Sequence, residues 1–354
     1  MLTILVTGGC GFVGSSLAVA LVRDGHRVTC FDNLTRRGSE LILPRILEAG
    51  CSFVHGDIRS PEDFNRLPGG FEAMIECSAE PSAVVGLDGA DAAYIINNNL
   101  TGSIHCFEWA RRHNVGVIFI STSRVYPHTL INALPYAERE TRFECAGQGE
   151  GVSSKGINEG FPLSGARSLY GATKLASEVM LQEYSALYDL PSIINRCGVI
   201  SGPWQLGKKE QGVFTYWLAA HVFRVNLRYI GFGGHGKQVR DLLHIDDFVD
   251  IVRLQLDRLS RHKGSLYNVG GSLTSSLSLL EATALCERLT GRHLHIESEP
   301  QTRPADLKWY ITDNSRVNAG FGWTPKRNPE AIMKDTLSWL EANEPVFRRV
   351  MGEA

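Results

Sequence analysis

A glycine-rich turn directly after the first apolar run is the feature that most restricts how this chain can fold. Residues 3–7 read Thr-Ile-Leu-Val-Thr, and Gly8, Gly11 and Gly14 then lead into an amphipathic stretch over 15–24. In a strand–turn–helix unit of this kind, the first glycine permits a tight turn and the second lets the backbone approach a pyrophosphate. The third lets the helix pack closely on the strand. The turn therefore predicts a dinucleotide held at the start of the first helix.

Short β-branched runs alternate with amphipathic stretches as far as residue 198, and the rhythm becomes irregular after Gly202. Continuous apolar strands between helices are typical of a parallel sheet that is covered on both faces. We predict an α/β protein with a Rossmann-type doubly wound parallel sheet and a smaller, interleaved α/β substrate domain. The cofactor domain is expected over 1–198, with 239–271 returning to it, and the substrate domain over 199–238 and 272–354.

One long connection, from Pro127 to Gly165, has glycines and serines near its centre. Loops longer than about 15 residues without secondary structure are usually lids or disordered segments. Because this one lies between the candidate catalytic residues, we interpret residues 143–165 as a lid.

Charge and composition exclude several classes of protein. The 354 residues carry 36 Lys and Arg against 38 Asp and Glu, so the strongly basic surface of a nucleic-acid-binding protein is missing. The eight cysteines show no spacing typical of zinc ligands, and no metal site is expected. No apolar run approaches the roughly 20 residues that cross a membrane. The start of the chain does not resemble a signal peptide, and a cytoplasmic location is expected.

An acidic residue at the end of the second predicted strand indicates the type of dinucleotide. Asp32 is placed to accept hydrogen bonds from the adenosine ribose hydroxyls and to repel a 2′-phosphate, which favours NAD. Arg36 and Arg37 leave NADP open, because a nearby arginine can accommodate that phosphate. Asp57 and Ile58, after the third strand, are expected beside the adenine.

A second motif carries the chemistry. Tyr170 and Lys174 are four residues apart and therefore share one face of a helix, and Thr122 ends the fifth strand beside the expected nicotinamide. A lysine charge and a positive nicotinamide would lower the pKa of the phenol, and the hydroxyl would hold the substrate oxygen. Bringing a phenol from about 10 towards neutrality needs on the order of 4 kcal/mol. Thr122, Tyr170 and Lys174 thus form a predicted proton relay.

These motifs resemble those of the extended short-chain dehydrogenase/reductases, the NAD-dependent nucleotide-sugar epimerase and dehydratase family, over nearly the whole chain. The resemblance implies that Thr122, Tyr170 and Lys174 are catalytic and that Asn99 supports the site. The implied cofactor contacts are Gly8, Gly11, Phe12, Val13, Gly14, Asp32, Asn33, Asp57, Ile58, Ser78, Asn99, Tyr170 and Lys174. The implied substrate contacts are Ser123, Arg124, Gln205, Gln211, Arg240, Arg303 and Asp306.

The residues that follow the catalytic threonine help to indicate a branch of that family. Sugar 4,6-dehydratases carry Asp and Glu after the catalytic threonine, whereas this chain has Ser123 and Arg124, so elimination of water is disfavoured. The chain is most similar to the CDP-paratose 2-epimerase (CDP-tyvelose epimerase) group, in which a CDP-sugar is the substrate. Glu76 and Glu80 depart from that pattern, since they stand where the family usually has His and Gln.

The resemblance implies epimerisation through transient oxidation of a nucleotide sugar, with hydride returned to the opposite face. A UDP-sugar 4-epimerase, an NAD(P)-dependent nucleotide-sugar reductase and an NAD-sensing regulatory protein remain as alternatives. A homodimer formed by paired helices, including 170–188, is also expected.

Overall fold

Seven parallel strands form the central sheet, in the order β3-β2-β1-β4-β5-β10-β14. The structure is a computed structural model and describes residues 1–82, 92–206 and 212–351. The strands of this sheet are β1 Thr3–Thr7, β2 Arg27–Asp32, β3 Ser52–His55, β4 Ala73–Glu76, β5 Gly116–Thr122, β10 Ser192–Cys197 and β14 Ser265–Val269. The central strands are buried along almost their whole length, as expected of a parallel sheet covered on both faces. The predicted doubly wound fold is confirmed.

Helices cover both faces of this sheet. They are α1 Phe12–Arg23, α2 Ser39–Glu48, α3 Ala92–Ile95, α4 Gly102–His113, α6 Leu169–Tyr188, α8 Ile245–Leu256 and α10 Ser315–Phe321. Between α3 and α4 the helix widens into a π-helical turn over Ile96–Thr101. Leu17, Ile75 and Phe248 belong to one apolar core, whereas Leu5, Phe107 and Phe119 belong to another.

The smaller part of the chain contains short sheets and further helices. Its strands are β11 Val199–Ser201, β12 Leu227–Ile230, β13 Val239–His244, β15 Ser276–Ser278, β16 Ile296–Glu299 and β17 Trp309–Tyr310, and its helices are α7 Val213–Phe223, α9 Leu279–Thr290, α11 Pro329–Ala342 and α12 Glu344–Met351. β13 lies between β11 and β15 and also pairs with β17. Within the expected return of 239–271, β14 joins the large sheet and α8 packs against it, whereas β13 pairs in the smaller sheet.

An insertion after β5 carries α5 His128–Asn132, β6 Tyr136–Glu138, β7 Phe143–Cys145, β8 Val152–Ser153 and β9 Gly156–Ile157. Phe143, Val152, Ile157 and Phe161 are buried in one apolar cluster with Trp309. The Glu159 carboxylate accepts the backbone N–H of Asn268 at the end of the large sheet. The insertion is therefore a packed part of the fold.

Candidate active site

A cavity of about 940 Å³ opens at the carboxyl ends of the large sheet. β1 and β4 are neighbours, and the strand order reverses there, which is the position where open α/β sheets bind ligands. Asp32, Thr122 and Cys197 end three of the strands and line this cavity. The topology therefore gathers residues that are far apart in the sequence.

The glycine-rich turn forms one wall. Gly8 has φ +63°, and a Cβ there would lie 2.9 Å from the backbone of Cys77 and Ser78. A Cβ on Gly14 would lie 2.2 Å from the Gly8 carbonyl oxygen. α1 begins after Gly11 with no side-chain cap and no acidic residue in its first turn. The positive end of the helix dipole can therefore attract an anionic group.

The Asp32 carboxylate lies next to this turn. Its Oδ2 accepts the Cys10 N–H at 3.0 Å and its Oδ1 accepts the Leu34 N–H at 2.8 Å, so the side chain is held in place. Burial raises the pKa of Asp32, while the two N–H donors oppose that rise. Arg36 and Arg37 also line the cavity.

Tyr170 and Thr122 meet on the opposite side. Ser168 caps α6 by accepting the Gly171 N–H at 3.2 Å, and this fixes the turn that carries Tyr170. Burial raises the pKa of Tyr170 to about 12, and its hydrogen bond with the Thr122 side chain acts in the other direction. The Arg124 charge also lowers the pKa of Tyr170, an effect that the sequence led us to expect from Lys174.

Lys174 lies one turn further along α6 and is 1% exposed. It is not among the described residues that line the cavity. Its Nζ is instead 3.8 Å from Glu76 Oε2, at the end of β4, and 4.0 Å from the centre of the Phe119 ring. Lys174 thus lies behind the cavity wall, next to a buried carboxylate.

Positive side chains line the other end of the cavity. Arg124, Arg240 and Arg303 all reach it, as do Ser123, Gln205 and Asp306. Arg240 Nη2 is 3.0 Å from Asp306 Oδ1, and burial lowers the pKa of Arg240 to about 10. Arg124 donates to the Ala305 carbonyl at 3.1 Å. Arginines held in this way suit a phosphate group.

The predicted cofactor contacts fall into two groups. Those on the cavity wall are Gly8, Gly11, Phe12, Val13, Gly14, Asp32, Asn33, Ile58, Ser78 and Tyr170. Asp57 and Asn99, like Lys174, are not among the described wall residues. Gln211, a predicted substrate contact, lies outside the described residues.

Asp57 and Asn99 are both engaged in hydrogen bonds with neighbouring residues of the chain. Burial raises the pKa of Asp57, but hydrogen bonds from Arg59 and Asn33 outweigh it and lower the pKa to about 2. The Asn99 side chain is fully buried and makes two hydrogen bonds with the Glu80 backbone, to N–H at 2.8 Å and to C=O at 3.0 Å. Asn99 therefore supports the loop after β4, and that loop lines the cavity.

The interpretation of residues 143–165 as a lid over the cavity is wrong. Among the described residues that line the cavity, none comes from this segment. Its apolar side chains are buried against β17, and Ile157 N–H donates to the Ile311 carbonyl at 2.8 Å. Gly156 in this segment serves close packing, since a Cβ there would lie 2.3 Å from that same carbonyl oxygen.

Some cavity residues were not identified from the sequence. Asn226, Arg228 and Glu299 line the substrate end, where β12 pairs with β16. These two strands are about 70 residues apart, so no local pattern could have joined them. Glu76 is not among the described wall residues, but its position had a signal in the sequence, because it is a carboxylate in an otherwise apolar strand.

These residues fit NAD. A helix start without an acidic side chain suits the pyrophosphate, and Asp32 suits ribose hydroxyls. Side chains at Gly8 or Gly14 would fill the turn, and this keeps its backbone accessible. The described residues contain no group of three or more His, Cys, Asp or Glu that could hold a metal ion. No helix in the described ranges has the length and apolar character needed to cross a membrane.

Comparisons with known proteins agree with this geometry. Residues 4–270 match the family described as NAD dependent epimerase/dehydratase family. The chain is 28% identical to a CDP-paratose 2-epimerase from Salmonella typhi, over 96% of this chain and 99% of that protein. It is 27% identical to a dTDP-glucose 4,6-dehydratase from Mycolicibacterium smegmatis, over 98% and 95%. A UDP-glucuronic acid 4-epimerase from Bacillus cereus, solved with UDP-glucuronic acid and NAD, superposes with a TM-score of 0.78 at 21% identity, over 96% and 99%.

Proposed function

The chain belongs to the NAD-dependent epimerase/dehydratase family, and from this membership we propose that it epimerises a nucleotide sugar, with a CDP-sugar as the preferred substrate. NAD is the cofactor of this family, in agreement with the expectation from the glycine-rich turn and Asp32. The observation that carries the proposal is the position of Tyr170 and Thr122. Their side chains are hydrogen-bonded to each other, and both residues line the cavity that the glycine-rich turn and the arginines also line.

In this proposal Tyr170 is the base. Its phenolate removes the proton from a sugar hydroxyl, and the Thr122 hydroxyl holds the same sugar oxygen. The glycine-rich turn and Asp32 would hold NAD⁺, which would supply the hydride acceptor, and then the hydride donor, for the carbon that carries this oxygen. Tyr170 then gives its proton back to the oxygen, so the reaction has no net redox change. Arg240 and Arg303 hold the diphosphate while the keto-sugar presents its other face.

Epimerisation is preferred to elimination of water because of the residues that follow Thr122. Dehydration needs an acid and a base beside the sugar, whereas Ser123 and Arg124 supply a hydroxyl and a guanidinium at these positions. Glu80 also reaches the cavity, but it lies on the loop after β4 and not on the turn that follows Thr122. The Asn99 side chain accepts its backbone N–H. The CDP-sugar assignment is supported by similarity to CDP-paratose 2-epimerase over nearly the full length of both chains.

The test uses purified protein and a panel of CDP-, UDP-, GDP- and dTDP-sugars in D₂O. We expect an epimer to form without added cofactor and without deuterium at the reacting carbon, because hydride returns to the carbon it left. Deuterium at that carbon would contradict hydride return and would indicate deprotonation instead. Tyr170→Phe is the matched variant: it should lose turnover and still bind NADH.

The same experiment separates the alternatives. A UDP-sugar 4-epimerase would act on UDP-sugars and change the configuration at C4. A reductase would consume NADH in proportion to product. A regulatory protein would bind NAD and convert none of the sugars, and Tyr170→Phe would then have no effect on its behaviour.

We also propose a homodimer that involves α6. Val179, Leu187 and Tyr188 are 51%, 69% and 53% exposed on this helix, although they are apolar or aromatic. Covering such side chains is a usual reason for association. Analytical ultracentrifugation should give twice the mass of the chain, and Leu187→Asp should shift it towards the monomer. A monomeric wild-type protein at micromolar concentration would contradict the dimer.

A further inference from the structure

Glu76 is a carboxylate in an unusual place. It ends β4, between Thr7 of β1 and Phe119 of β5, and it is fully buried. Its Oε1 accepts the Ser78 N–H at 2.9 Å. Its Oε2 has no hydrogen-bond partner in the part of the chain that the structure describes. One carboxylate oxygen of Glu76 is therefore hydrogen-bonded, and the other is free to interact with a nearby charge.

That other group is the Lys174 ammonium. Lys174 Nζ is 3.8 Å from Glu76 Oε2, within ion-pair distance but beyond a hydrogen bond. No hydrogen-bond partner for Nζ is found among the described residues, although the face of Phe119 lies 4.0 Å away. An unpaired ammonium at this depth would lose its proton, because burial disfavours the charged form. The negative charge of Glu76 opposes this loss, because it favours the protonated form of Lys174.

The other titratable groups around Lys174 raise its pKa less than Glu76 does. The Glu178 carboxylate is already engaged by Arg196, at 2.7 Å, and by the Ser121 hydroxyl, at 2.5 Å. Cys77, Cys106 and Cys197 are nearby thiols whose pKa is raised by burial, so they are neutral near pH 7. Glu76 is thus the carboxylate with an oxygen left for Lys174 among the described residues.

We propose that Glu76 is a positioning residue that keeps Lys174 protonated during the reaction. The inference rests on the proposed function, in which Tyr170 is the base, and on the expectation from the sequence that Lys174 assists Tyr170. Burial lowers the pKa of Lys174, and Glu76 is the first of the groups that raise it. Burial also raises the pKa of Glu76, and the Lys174 charge opposes that rise, so each charge depends on the other. Because the charged pair adds no net charge to the site, Tyr170 experiences an oriented dipole and not an isolated ammonium.

The direct test measures the protonation of Lys174 without any sugar. Holoenzyme labelled with ¹³Cε-lysine is titrated by NMR, and the Lys174 signal is assigned by its loss in Lys174→Arg. In Glu76→Gln the carboxylate charge is removed at nearly constant shape, and we expect the titration midpoint of Lys174 to fall by at least one pH unit, a tenfold change in the ratio of its two forms. An unchanged midpoint would overturn the proposal.

Two further variants keep the test decisive. Glu159→Gln removes another carboxylate that is largely shielded from water, in the insertion after β5, and should leave the Lys174 midpoint where it is. If Glu76→Gln does not fold, Glu76→Asp keeps the charge one methylene further away, and the midpoint should fall by a smaller amount. A rise or no change in Glu76→Asp would count against the proposal.

The pH profile of turnover gives the functional readout. We expect the alkaline limb of kcat in Glu76→Gln to move to lower pH together with the Lys174 midpoint. A purely structural role would lower kcat at every pH and leave both limbs in place, and that result would also overturn the proposal. If the chain turns over none of the sugars, the proposed function fails, while the NMR titration still decides the role of Glu76.

Discussion

The contact between Gly171 and Arg124 provides a quantitative test of how the structure positions Tyr170. α6 packs so closely on the turn after β5 that a Cβ on Gly171 would lie 2.1 Å from the Arg124 carbonyl oxygen. Ordinary contact for such a carbon begins at 3.4 Å. In Gly171→Ala the helix and the turn must therefore separate by about 1.3 Å, an overpacking that typically costs about 1–3 kcal/mol.

This separation occurs where catalysis is most sensitive to it. Tyr170 precedes Gly171 on the helix, and Thr122 precedes the turn, so the phenol and the hydroxyl move apart. A misplacement of about 1 Å can reduce a rate by roughly 100-fold. We expect Gly171→Ala to lower kcat by about that factor, to lower Tm, and to leave NADH binding within a few-fold of wild type, because the glycine-rich turn is not touched.

The assay compares kcat, Tm and NADH affinity of Gly171→Ala with those of Gly69→Ala, where an added Cβ meets nothing within 4 Å. The control should match wild type in all three. Wild-type kcat and Tm in Gly171→Ala would refute the reasoning, because the close approach of α6 would then have no role in placing Tyr170.

Three further predictions concern other parts of the molecule. Glu178→Ala leaves Arg196 buried without its carboxylate, and urea unfolding should show a loss of about 3–5 kcal/mol in the free energy of unfolding. Burial raises the pKa of Asp241 to about 6, above the value near 3.9 expected in the unfolded chain; the free energy of unfolding should therefore fall as pH rises from about 4 through 6, and Asp241→Asn should lack this fall. Arg240→Ala removes a charged donor from the substrate end of the cavity, and the KM for the nucleotide sugar should rise at least tenfold with NADH binding unchanged.

The cofactor end of the cavity was predictable because its signals are local. Gly8, Gly14 and Asp32 act through backbone turns and strand ends that a short stretch of sequence specifies. Tyr170 and Thr122 were predictable for a related reason, since a parallel sheet brings the ends of its strands to one edge.

Other features depended on contacts between distant segments. Asn99 pairs with the backbone of Glu80, so its amide is not available at the cavity wall. Lys174 lies one helical turn from Tyr170, as its spacing predicts, but its Nζ is 3.8 Å from a carboxylate on β4 and is not on the described cavity wall. The lid interpretation of 143–165 was wrong because glycine content does not distinguish an open loop from backbone pressed against a neighbouring strand, as at Gly156.

The strand order has a consequence for how the chain can be divided. β14, at 265–269, pairs with β10, at 192–197, and the intervening residues include the whole of β11, β12 and β13. A fragment that ends near residue 198 would contain the cofactor turn and the Tyr170 helix but would leave β10 as an open edge. That strand reads Ser-Ile-Ile-Asn-Arg-Cys, and an exposed apolar edge promotes aggregation. During synthesis β10 stays unpaired on this side until residue 269 has emerged from the ribosome, so we expect a fragment that ends near residue 198 to aggregate more readily than one that extends through β14.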